Sequence, residues 1–109
     1  MPDVAALVVL STFPDAETAA RVARTLVDER LAACVNLVPA IRSIYRWQGA
    51  VSDDAESLAI IKTTADRYAA LAARIAALHP YQVPEILALP LAEGHPPYLA
   101  WLAGQVTEG

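Results

Sequence analysis

Two stretches constrain this chain more than anything else in it. Residues 4–12 (VAALVVLST) and 58–61, at the centre of ESLAIIKTT, run apolar without alternation. A strand with one wet face alternates, whereas a continuous apolar run wants both faces dry. At least two strands must therefore lie in the middle of a sheet, each with something above it and below it.

The segments between them supply the rest of a small fold. Pro14-Asp15 opens a helix, with Asp15 as N-cap and Glu17 favoured by the positive end of the dipole. Ala19, Val22, Ala23, Leu26 and Val27 recur at spacings of three and four, which predicts a core stripe; Arg21, Arg24 and Asp28 lie off it. From residue 33 to 47 the pattern is extended, and Pro39 predicts an edge strand with a bulge. Past Pro39, Ile41, Ser43, Tyr45 and Trp47 fall on one face, and Arg42, Ile44 and Arg46 on the other. Gln48-Gly49 reads as a hairpin turn. Thr63 or Thr64 caps a second helix with the stripe Tyr68, Leu71, Ala72, Ile75 and Leu78, and Pro80 stops it. Residues 81–91 read as a second edge strand containing Pro84 and Pro90, and Pro97 suits the first turn of a short final helix.

The order β-α-β-β-α-β plus a terminal helix predicts an α+β, ferredoxin-like sandwich, one domain over residues 1–109. Its first and third strands are central, and these are the two that read apolar on both faces. Two helices cover only one face of such a sheet. The chain is 56% hydrophobic, above the usual ~45–50%. Its longest unbroken apolar run, 4–10, is far short of the roughly 18 residues that span a bilayer, so no membrane segment is expected. Met1-Pro2-Asp3 lacks the positive region of a secretory signal. The surplus apolar surface predicts a homo-oligomer with sheets packed face to face, and the long second hairpin is expected to reach a neighbouring subunit.

Charge and motifs exclude several function classes. A net charge of −4 with scattered basic residues argues against nucleic-acid binding. A single cysteine, Cys34, forms no disulfide within the chain, which fits a reducing cytoplasm. No phosphate-binding glycine loop and no nucleophile–base pairing is present, so an enzyme is not expected.

Long ordered stretches carry a family resemblance: ERLAACVNLVPAIRSIYRWQG (29–49), IIKTTADRY (61–69), LHPYQVPEILALPL (78–91) and PPYLAWL (96–102) resemble the CutA proteins, or divalent-cation tolerance proteins. The resemblance implies a ferredoxin-like fold assembling as a PII-like homotrimer. It also implies copper or other divalent-cation binding rather than catalysis. Some members carry additional cysteines that this chain lacks.

Three residues are the candidate metal ligands. Cys34 is either a small buried hydrophobe or a thiolate for a soft metal. His79 either meets the last carbonyls of the second helix or offers an imidazole nitrogen. Glu85, inside an apolar stretch, either guards a sheet edge or points into a cleft between subunits. Together they offer S, N and O donors for copper or zinc. Their spacing is not diagnostic, and the family pattern is the reason for grouping them in one pocket, possibly shared across a subunit boundary. His95 is expected to be solvent-exposed. Lys62, the one lysine, either ends a strand or meets an anion. Tyr45, Trp47, Tyr98 and Trp101 are expected to pack in a core or an interface. The competing reading is a PII-like sensor or scaffold that holds a small ligand or partner protein in the subunit clefts.

Overall fold

The computed structural model describes residues 5–107. The elements are β1 (Ala6–Phe13), α1 (Ala16–Asp28), β2 (Cys34–Trp47), β3 (Ala50–Thr64), α2 (Tyr68–Leu78), β4 (Leu87–Pro90) and α3 (Pro96–Gln105), with a 3-10 turn at Ala65–Arg67 leading into α2. The four strands form one sheet in the order β2-β3-β1-β4, with every pair antiparallel. This is the expected α+β, ferredoxin-like order, with β1 and β3 central. Val4, placed in the first strand from sequence, lies outside the described residues.

Register assigns each side chain to a face. Val9 opposes Ile61 and Ser11 opposes Ala59. These side chains, with Phe13, are buried with Val22, Leu26, Leu71 and Ile75 under α1 and α2. The alternate residues, Val8, Leu10, Leu58 and Ile60, face the other way and are half-buried. There α3 covers only one end, where Leu102 and Val106 pack with Ala33 and Ala6. Leu87 and Leu89 of β4, opposite Leu10 and Val8, remain 55% and 51% exposed. One face of the sheet is thus largely apolar and open.

Local chemistry explains the element ends. The Asp15 carboxylate accepts the Thr18 backbone N–H at 2.7 Å, as an N-cap does. Arg30 takes φ 59° just past α1, where Leu31 and Ala32 N–H return to the Leu26 carbonyl. Val27, placed on the core stripe from its spacing, is 43% exposed, because it lies in the last turn of α1. Gln48 and Gly49 both have positive φ, 49° and 81°, the pair of values a two-residue turn needs to match the strand twist. Thr64 precedes the 3-10 turn without donating or accepting a backbone cap, and its hydroxyl meets Asp66 instead. The Thr63 hydroxyl donates to the Leu31 carbonyl at 2.7 Å.

The bulge at Pro39 has a structural consequence. Val38 opposes Leu58 and Ile41 opposes Glu56, so β2 carries one extra residue there. The extra residue reverses parity. Cys34, Asn36 and Val38 share the open face with Ile41, Ser43, Tyr45 and Trp47. Beyond Ser57, β3 has no partner in β1, and β2–β3 continues as a two-stranded ribbon. The molecule is accordingly 50 Å long and 26 by 22 Å across.

The expected strand over 81–91 is shorter than read: only Leu87–Pro90 pairs with β1, at Leu7 to Leu10. Pro84 has no N–H to donate, and residues 81–86 form a loop instead.

Candidate functional site

The loop after α2 is anchored by His79. The Ala6 carbonyl points to the β4 side and accepts the Leu91 N–H. Every second carbonyl of β1 points the same way, including that of Thr12. But β4 ends opposite Leu10, so Thr12 has no strand neighbour there. The His79 ring fills the gap. Its Nε2 lies 2.7 Å from the Thr12 oxygen, and since a carbonyl only accepts, Nε2 carries the hydrogen. Nδ1 then accepts the Tyr81 backbone N–H at 3.1 Å. The ring stacks on Phe13 at 4.5 Å and 19°. Only 8% exposed, His79 has both nitrogens committed to holding the loop.

That loop closes one side of a cleft of about 700 Å³ on the open face, at the base of the ribbon. Tyr45 and Trp47 of β2, Glu56 of β3, and Tyr81 and Glu85 of the loop line it. Glu56 is 9% exposed and accepts the Tyr81 hydroxyl at 2.7 Å. Burial, and then the Glu56 carboxylate, push the Tyr81 hydroxyl far above its ordinary value, so it stays a donor. The Tyr45 hydroxyl donates to Asp54 at 2.5 Å, which raises its pKa in turn. On the ribbon's other face Arg42 makes a two-pronged pair with Asp53, 2.8 and 2.7 Å. Positive charge is thereby kept off the cleft side.

Cys34 lies elsewhere. It opposes Lys62, which opposes Val8, four residues up β1 from Thr12 at the cleft. That is about 13 Å along a strand. Its thiol sits 3.8 Å from the Asn36 side-chain oxygen, which also accepts from Lys62 Nζ. Tyr98 of α3 is beside it; burial, then Cys34, raise the Tyr98 hydroxyl. Lys62 therefore meets a side-chain amide within its own sheet.

Within a single chain Cys34, His79 and Glu85, expected to line one pocket, whether of one subunit or shared across a subunit boundary, lie apart. Among the described residues no three His, Cys, Asp or Glu side chains come together to hold a metal ion. Glu85 lines the cleft, His79 supports it from behind, and Cys34 is at the opposite end of the face. Sequence reasoning missed Glu56 and Tyr81, whose contact spans 25 positions. A lone glutamate entering a run of apolar residues was the available signal. Tyr45, Trp47, Tyr98 and Trp101 are 41–46% exposed, so none is in the core of this chain. His95 is exposed, at the N-cap of α3.

The sequence of residues 7–105 matches the model of the family described as "CutA1 divalent ion tolerance protein". The chain belongs to the CutA1 family. It is 58% identical over 95 residues to the divalent-cation tolerance protein CutA of Thermus thermophilus, a match covering 87% of this chain and 92% of that one. It is 46% identical over 105 residues to rice "Protein CutA 1, chloroplastic", covering 96% of this chain but only 59% of that relative's length. The crystal structure of CutA1 from Oryza sativa superposes with a TM-score of 0.94 at 45% identity, covering 98% of each chain. The resemblance read from 29–49, 61–69, 78–91 and 96–102 is confirmed over most of the chain. Among the described residues no helix is long and apolar enough to cross a membrane.

Proposed function

We propose that this chain is a non-enzymatic, one-domain divalent-cation tolerance protein of the cytoplasm, working as a homotrimer that binds copper and other divalent ions at its subunit boundaries. One observation carries the reading: the open sheet face. Val8, Leu10, Leu58, Ile60, Leu87 and Leu89 make it apolar, and α3 covers only its end. An apolar surface of this kind asks for a partner, and identical chains satisfy it by symmetry.

The donors present suit an ion only when more than one chain contributes. Cys34 is half-exposed on the open face and supplies the soft sulfur that copper favours. Glu85 supplies a carboxylate at the other end. His79 acts by fixing the loop that carries Glu85, and would ligate only by giving up Thr12 or Tyr81. In the proposed trimer, ligands from neighbouring copies would complete the ion site that one chain leaves incomplete.

The test pairs sedimentation with copper titration of the untagged protein. Wild type should sediment as a trimer at micromolar concentration and bind copper. Cys34→Ser and Glu85→Gln should bind less, and His79→Ala should loosen the loop. A stable monomer defeats the trimer, and equal copper binding by all four proteins defeats the ligand assignment.

A further inference from the structure

The helix side of the sheet carries an unpartnered surface of a different kind. β2 is an edge strand, and among the described residues the outer edge of 34–38 has no strand beside it. Such an edge presents a row of unpaired N–H and C=O groups, a template for another strand. Next to it α1 forms one wall of an open groove, where Ala20, Ala23 and Val27 stand beside Val35 and Leu37. Val35 and Leu37 pack against the core under the helices, so the groove is opposite the face that the proposed trimer buries.

The charges on that wall identify the partner. Arg24 and Asp28 are exposed there, one helical turn apart. Among the described residues neither enters an ion pair. Within one helix their order, cation first, is the weaker one. Asp28 also closes α1, which has no basic residue in its last turn, and the helix dipole disfavours an acid at that end. A second α1 laid antiparallel removes both defects, because each Arg24 then meets Asp28 of the second copy. Alanine at 20 and 23 leaves room for two helices to approach to about 8–10 Å. The same two-fold axis serves the strands. The groove sets this stretch of α1 beside Val35 and Leu37, so an axis midway between Arg24 and Asp28 passes near Asn36. Antiparallel pairing of two 34–38 edges about that point carries the sheet from one chain into the next. The bulge at Pro39 ends the flat stretch.

From this self-complementarity we infer that the edge formed by α1 and the first half of β2 is a two-fold docking surface for a second copy of this chain, joining two sheets edge to edge without metal. The contact itself stands apart from the trimer reading, and only the number of chains rests on it. With that trimer, three equivalent seams join two trimers into a closed hexamer; without it, one seam joins two chains.

The experiment is sedimentation of the untagged full chain across micromolar concentrations, with a chelator present and at low salt, where surface charges are least screened. Wild type should reach six chains. Arg24→Asp puts like charges at both ends of the seam and should weaken pairing by about tenfold or more per seam, leaving three chains at the same concentration. The double variant Arg24→Asp with Asp28→Arg restores opposite charges across the axis and should return to six. Both residues are exposed on one helix surface, so the variants should keep the wild-type circular dichroism. A change from two chains to one in place of six to three upholds the seam and defeats the trimer. Wild type that stays at three chains or at one throughout overturns the inference. So does an Arg24→Asp variant of wild-type mass, or a double variant that does not recover.

Discussion

Replacing His79 by phenylalanine tests the role of the ring as a substitute strand. The change keeps the volume and the stack on Phe13, worth roughly 0.5–1.5 kcal/mol. It deletes two hydrogen bonds, to the Thr12 carbonyl and from the Tyr81 N–H. Because the side chain is 8% exposed, water does not readily replace them. Each stranded buried group costs about 1–3 kcal/mol, so His79→Phe should destabilise the protein by about 2–6 kcal/mol. For a chain near this length that lowers the melting temperature by roughly 10–30 °C. His79→Ala should fall further, since the stack is lost as well. Thermal unfolding at one fixed protein concentration reads the effect, the fixed concentration guarding against a change in assembly. Hydrogen exchange at the Tyr81 amide localises it: that amide should be protected in wild type and exchange rapidly in the variant. An unchanged melting temperature together with a still-protected Tyr81 amide would refute the argument.

Two other outcomes follow from buried and exposed polar groups. Ser11 is fully buried, and its hydroxyl has no hydrogen-bond partner among the described residues, so Ser11→Ala should leave stability unchanged or raise it by up to about 1 kcal/mol in urea unfolding. Asp15, Asp53 and Glu29 are held below their ordinary values of 3.8, 3.8 and 4.5, first by the Thr18 N–H, Arg42 and Arg74 respectively; their contribution is complete above those values and lost as pH falls through the lower folded-state ones, so the melting temperature should drop on acidification below about pH 4, less steeply in Asp15→Asn.

Much of this architecture was legible because local and global preferences agree. The unalternating runs at 4–12 and 58–61 identified the central strands, and Asp15, Pro39 and Pro80 marked a cap, a bulge and a stop. What stayed hidden depended on distance in the sequence. The 81–91 stretch looks like a strand by composition, but Pro84 and the side chain of His79 together keep its first half out of the ladder. The Glu56–Tyr81 contact is invisible without the register of β3 and the return of the loop. Cys34, His79 and Glu85 are all on or beside the same sheet, yet strand rise keeps its two ends apart within one chain, a separation that sequence spacing alone does not reveal.

The ribbon beyond Ser57 rests on two strands and a turn. Such a pair is marginal alone in water. An isolated subunit would therefore fray from Gln48-Gly49 inward, while in the proposed trimer each ribbon would be braced by a neighbour. Dissociation and fraying would then be a single cooperative step. Proteolytic nicking at the tip would serve as a clock for how often subunits part.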